Sequence, residues 1–125
     1  MKKFTFPKRS RLTKNEDFKR VIDRRCRSKD SLLTLYIAPN SLDFARLGVS
    51  ISKTAGPAVG RNRFKRIVRE VFRQSCEQIP SGYDYVVLGV GSIAKKAQDK
   101  GNLAFEPIKR SFMDLVNNAL RKLEN

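Results

Sequence analysis

Apolar positions along the chain first recur at helical spacing, then alternate, then return to helical spacing. Thr13 with Glu16 three residues on has the form of a capping box. Phe18, Val21 and Ile22, spaced i, i+3, i+4, then supply the apolar stripe of a helix that starts there. Residues 24–30 are polar and charged and read as a loop. From 31 to 38 the period becomes two, with Leu33, Leu35 and Ile37 on one face and Leu32, Thr34 and Tyr36 on the other. After the turn signal Pro39, Asn40, Ser41, a second alternation sets Ala45, Leu47, Val49 and Ile51 against Arg46, Gly48, Ser50 and Ser52. The two segments are expected to pair as an antiparallel hairpin or meander, one face apolar and the other carrying Tyr36, Arg46, Ser50 and Ser52.

Thr54, Ala55, Gly56 and Pro57 break this strand, and a helix is predicted from Pro57 to about residue 79, before Pro80. At 100° per residue its Phe64, Ile67, Val68, Val71 and Phe72 share one side. Asn62, Lys65, Arg66, Arg69 and Arg73 share the other, with Arg61 and Arg63 at the flanks. The unbroken run of β-formers from 83 to 90 reads as a buried strand. Residues 92–101 have no decisive period. A last helix over about 107–123 turns Ile108, Phe112, Leu115, Val116, Ala119 and Leu120 to the core. The order is α-β-β-α-β-α with room for one further short strand. That is an α+β, two-layer domain with a small, mostly antiparallel sheet.

Composition gives this framework a partner. The 125 residues carry 27 Lys+Arg against 12 Asp+Glu, a net charge of +15, and 40% are hydrophobic, enough for a core. One domain spanning 1–125 is expected, with a basic, irregular arm over 1–12. A folded chain this basic points to a polyanion, most often nucleic acid. With no histidine, Ser-His and Cys-His dyads and His-ligated metals are excluded. The carboxylates are scattered, so neither a catalytic residue nor a protein metal site is expected. Cys26 and Cys76 form no C-x-x-C pair and suit a reduced compartment. No apolar run reaches the roughly 18 residues of a membrane span, and the N-terminus lacks a secretory pattern. A cytoplasmic protein is expected.

Three features could carry the binding. Residues 60–73 hold six basic residues and one acidic one while keeping their apolar stripe intact. Such a helix, anchored by one face, offers guanidinium forks to phosphates on the other. The polar sheet face sets Tyr36, Ser50 and Ser52, with Phe18, beside Arg46 and Lys53, an arrangement suited to stacking single-stranded RNA. Phe18 and Tyr36 serve equally well as simple packing residues. Residues 1–30 add twelve Lys/Arg against four Asp/Glu.

The run Arg61, Asn62, Arg63, Phe64, Lys65, Arg66, Ile67, Val68, Arg69, Glu70, preceded by Val49, Ser50, Ile51, Ser52, Lys53 and by Ala58, Val59, resembles the signature of the bacterial ribonuclease P protein subunit. Arg11 and Leu12, the stretch Asn15, Glu16, Asp17, Phe18, and Asp84, Tyr85, Val86, Val87 match it too. The resemblance covers about 11–123. It implies a left-handed βαβ crossover around the second helix. It also implies a subunit that joins a catalytic RNA to remove 5′ leaders from precursor tRNA, with catalysis resting on Mg²⁺ bound chiefly by the RNA and no protein partner required. By the same resemblance, Arg61, Asn62, Arg63, Lys65, Arg66 and Arg69 lie against the catalytic RNA or near the cleavage site, and Arg73, on the same basic face by helical period, joins them as an expected contact to the catalytic RNA. Phe18, Tyr36, Ser50 and Lys53 match the leader cleft, with Ile22 where an aromatic is common, and Arg46 and Ser52 are expected in the same cleft from their place on the polar sheet face. The rival on charge alone is a noncatalytic ribosomal or RNA-assembly protein.

Overall fold

A computed structural model describes residues 8–98 and 105–124. Helix α1 (Asn15–Asp23) is followed by strands β1 (Arg27–Lys29), β2 (Leu33–Pro39) and β3 (Arg46–Ser50). Then come helix α2 (Ala58–Ser75), strand β4 (Tyr83–Gly89) and helices α3 (Ile93–Gln98) and α4 (Phe105–Glu124). The further short strand is β1, within the stretch expected to be a loop. Of the undecided stretch, 93–98 is helical and 99–101 lies outside the described residues. The expected architecture, helices on a small, mostly antiparallel sheet, is the one observed, with one parallel pairing that makes the sheet mixed.

The sheet runs β1-β2-β4-β3. The expected hairpin of β2 with β3 does not form: β4 lies between them, antiparallel to β2 and parallel to β3. The reason is in the strand patterns. β4 is apolar on consecutive residues, from Tyr85 to Val87 fully buried, and such a strand belongs in the centre with both faces covered. The strand rich in Arg46, Gly48 and Ser50 is left at the edge, and α2 supplies the crossover from β3 to β4.

The register assigns each side chain to a face. Leu33, Leu35, Ile37, Tyr85, Val87 and Leu47 pack with Phe64, Val68, Val71 and Phe72 of α2 and with Ile108, Phe112, Leu115, Val116 and Ala119 of α4. The opposite face carries a second, smaller cluster: Ala38 and Val86 of the sheet against Leu12 and Val21, with Phe18, Ile22, Tyr36 and Leu88 partly buried around them. The face expected to be polar is thus roofed by α1.

Two expectations at the N-terminus need correction. Thr13 does not cap α1; Lys14 occupies the N-cap position without a side-chain cap bond, and the first turn is instead acidic through Glu16 and Asp17. The arm is docked at its end: Arg11 bridges Leu47, and the Leu12 N–H donates to the Leu47 carbonyl at 2.8 Å, so the outer edge of β3 is part-covered. Residues 1–7 of the arm lie outside the described residues. Helix α2 also ends at Ser75, four residues short of its expected end.

Candidate nucleic-acid interface

The first surface is the outer face of α2. The helix starts after Pro57, and Gly56 before it has φ 145°, where a β-carbon would lie 2.5 Å from the Lys95 backbone nitrogen. Only glycine lets α3 press that closely against the start of α2. Arg61 Nε donates back to the Gly56 carbonyl at 3.2 Å, so this arginine closes the turn as well as facing outward. Further along, Asn62, Lys65, Arg66, Arg69, Glu70 and Arg73 line a groove of about 430 Å³ together with Arg11 from the arm. The groove gathers five of the seven predicted helix residues. Arg63 is not among its walls; it is half-buried, with a buried Nε that has no hydrogen-bond partner among the described residues.

The groove's one carboxylate is already neutralised. Arg73 forks onto Glu70, its Nε donating at 2.9 Å, and Gln74 adds a third bond at 3.0 Å. Hydrogen bonds from Arg73 first and Gln74 second hold the Glu70 carboxyl down to a pKa of about 2. Burial, and then the neighbouring charge of Arg11, lowers the pKa of Arg69, so the arm and the helix bring two cations close together in the groove. Arg11 was missed as a groove residue because its place depends on a bridge to β3, which no local pattern announces.

The second surface is the cleft between α1 and the sheet. Tyr36, Val86 and Gly48 are successive cross-strand partners and so share a face, as do Thr34, Leu88 and Ser50 in the next row. Phe18 lies directly over Gly48: a β-carbon there would meet its ring at 2.7 Å and Leu12 Cβ at 3.1 Å. Phe18, Ile22 and Tyr36 are each partly buried, so they pack the small cluster and still present surface to the cleft. Ser50 and Lys53 are exposed at the β3 end.

Two predicted cleft residues are engaged elsewhere. Arg46 forks onto Asp84, Nε at 2.8 Å and Nη2 at 2.7 Å. Asp84 is fully buried and also accepts from Arg20 of α1 and from Asn40 Nδ2 at 2.8 Å. This network ties α1, β3 and β4 together. The Ser52 hydroxyl accepts the Thr54 N–H at 3.1 Å and pairs with the Thr54 hydroxyl at 2.7 Å, holding the short 3₁₀ turn Lys53–Ala55.

The two surfaces meet at the β3 edge. Arg11 and Leu12 are consecutive in extended chain, where side chains alternate sides. Arg11 lines the α2 groove and Leu12 packs under α1.

Among the described residues no three His, Cys, Asp or Glu side chains converge on a point that could hold a metal ion. The Cys26 thiol, its pKa pushed up by burial, donates to the Ala119 carbonyl at 3.3 Å. No helix among the described residues is long and apolar enough to cross a membrane.

A chain of this fold with these two surfaces has close counterparts. The ribonuclease P family model matches residues 6–119. The "Ribonuclease P protein component" of Petrotoga mobilis is 32% identical over 120 residues, 96% of each chain. That of Alkaliphilus oremlandii is 32% identical over 111 residues, covering 89% of this chain and 96% of the relative. Among solved structures, the ribonuclease P protein of Staphylococcus aureus superimposes with a TM-score of 0.74 at 28% identity, covering 88% of this chain and 94% of that one. The Thermotoga maritima ribonuclease P protein gives 0.73 at 27%, covering 85% and 94%. The resemblance seen in the Arg61, Asn62, Arg63 helix therefore extends over almost the whole fold, and the chain belongs to the ribonuclease P protein family.

Proposed function

We propose that this tRNA-processing ribonuclease P subunit works through a division between its two surfaces: the α2 groove binds the catalytic RNA of the ribonucleoprotein, and the cleft under α1 holds the 5′ leader of precursor tRNA. The observation that carries this reading is the seam at Arg11 and Leu12, which sets a cationic groove and an aromatic cleft on either side of one strand edge. RNA seated in the groove and a single strand running into the cleft would meet there.

The protein's contribution is positioning and charge. Arg66, Arg69, Lys65 and Asn62 face outward along α2 and meet phosphates, while Arg73 is kept in place by Glu70. In the cleft, Phe18 and Tyr36 offer rings for base stacking, with Ile22 a smaller apolar wall, and Ser50 and Lys53 lie at the β3 end. Arg46 shapes the cleft from beneath by fixing Asp84. Catalysis belongs to the holoenzyme. The divalent ion, Mg²⁺, is assigned to the RNA, since no three carboxylates or other metal-binding side chains converge among the described residues. Its place of work is the cytoplasm, and no further protein is required.

The test is cleavage of precursor tRNA by the partner RNA with and without this chain at near-physiological Mg²⁺. Addition of the protein is expected to raise both the rate and the affinity for leader-bearing substrate. Equal rates and equal affinities would overturn the reading.

A further inference from the structure

The far end of the cleft carries two cations that leader stacking on Phe18 and Tyr36 does not use. After α1 ends at Asp23, Arg25 adopts φ 60°, in the left-handed region that non-glycine residues enter at a cost, and its N–H donates to the Ile22 carbonyl at 3.0 Å. The chain then enters β1, where Arg27 is the cross-strand partner of Tyr36 and therefore stands on the cleft face beside it. Ile22, Asp23, Arg25, Arg27 and Tyr36 together line a recess of about 370 Å³. Arg25 and Arg27 are exposed, and among the described residues neither guanidinium has an ion pair or hydrogen bond. The recess's one carboxylate, Asp23, is held by Lys19 at 2.7 Å.

An apolar and aromatic wall beside two unpaired guanidinium groups fits a nucleotide, with its base on the ring and its phosphates on the forks. We infer that this recess is the distal subsite of the leader cleft, in which Arg25 and Arg27 take the phosphodiester groups of leader nucleotides remote from the cleavage site. The inference rests on the leader-binding reading of the cleft. Its geometry follows from the strand order: the row Gly48, Val86, Tyr36, Arg27 crosses all four strands. Three inter-strand steps of about 4.8 Å put β1 about 14 Å from β3. A leader arriving at the β3 edge, beside the α2 groove, reaches Arg27 only after crossing the sheet. Contact with the subsite therefore depends on leader length.

The experiment compares holoenzyme reconstituted with the parent chain, with the double variant Arg25→Asn, Arg27→Ala, and with Tyr36→Ala. Asparagine tolerates the left-handed backbone, so the turn is kept. Dissociation constants are measured for precursor tRNAs whose leaders are shortened one nucleotide at a time. For long leaders the double variant is expected to bind about 5-fold more weakly, the order of two exposed charge pairs. Its log–log salt slope should be smaller by about 1.4, at about 0.7 per single-stranded phosphate. Once the leader is too short to reach β1, the double variant and the parent should bind alike. If Tyr36→Ala weakens long leaders while the double variant equals the parent at every length, the subsite is overturned and the cleft stands. A loss in the double variant that persists with leaderless tRNA overturns the subsite in the same way. If Tyr36→Ala is also without effect on any leader, the cleft reading falls with it.

Discussion

The ring of Phe18 occupies the place that a side chain on Gly48 would take: a β-carbon there would lie 2.7 Å from Cζ of Phe18. Helix α1 can settle onto the sheet because β3 has no side chain at that point. The same contact holds an aromatic ring at the cleft, so the packing and binding roles of Phe18 are one arrangement.

Gly48→Ala should therefore act on both. Leu12 Cβ would lie 3.1 Å from the same β-carbon, so the added methyl is crowded by two neighbours at once. Overpacking of this kind costs about 1–3 kcal/mol, measurable by urea denaturation. The variant should also bind leader-bearing substrate less well than leaderless tRNA relative to the parent.

Asp84 is the anchor beneath the cleft. Each of its oxygens accepts two hydrogen bonds, one from Arg46 and the other from Arg20 or Asn40. Removing one partner of a buried pair leaves charge without compensation and costs about 3–5 kcal/mol. Asp84→Ala should lose stability on that scale. Arg20→Ala, which leaves the Arg46 fork intact, should lose much less and should loosen α1, seen as faster amide exchange in that helix.

The two surfaces should separate by mutation. Arg61→Ala with Arg66→Ala should weaken assembly with the catalytic RNA and leave the preference for leader-bearing over leaderless tRNA unchanged. Tyr36→Ala should do the reverse. Filter binding to the RNA alone and to both substrates distinguishes them, and the same pattern from both variants would count against the division.

Glu70 supplies a pH test. Its folded-state pKa, about 2, lies below the ordinary glutamate value, so its pair with Arg73 stabilises the fold above that ordinary value. The contribution is lost as pH falls through the folded pKa. A carboxyl titration followed by NMR should place its midpoint near 2. Arg73→Ala should return it toward the usual range, since Arg73 is the first cause of the shift.

Much of the site was legible because it is local. The basic and apolar faces of α2 are set by helical periodicity alone, and the structure puts Asn62, Lys65, Arg66, Arg69 and Arg73 on one groove as that period requires. Arg46 and Ser52 show the limit. Alternation correctly placed Arg46 on the cleft side of β3, but its fork is taken by Asp84, a residue 38 positions away. Ser52 lies past the strand's end and holds a turn.

What the sequence determined by itself is what depends on near neighbours: the types of α1, β2, β3, α2, β4 and α4, the faces of α2 and α4, the excess of cations, and the absence of histidine. The tertiary structure alone decided which strand sits between β2 and β3, that Arg11 joins the α2 groove, and that Arg27 stands beside Tyr36. Each of these depends on pairing between segments remote in the chain, where the gain comes from burying β4 on both faces. No window of consecutive residues contains that gain, so no local period could announce it.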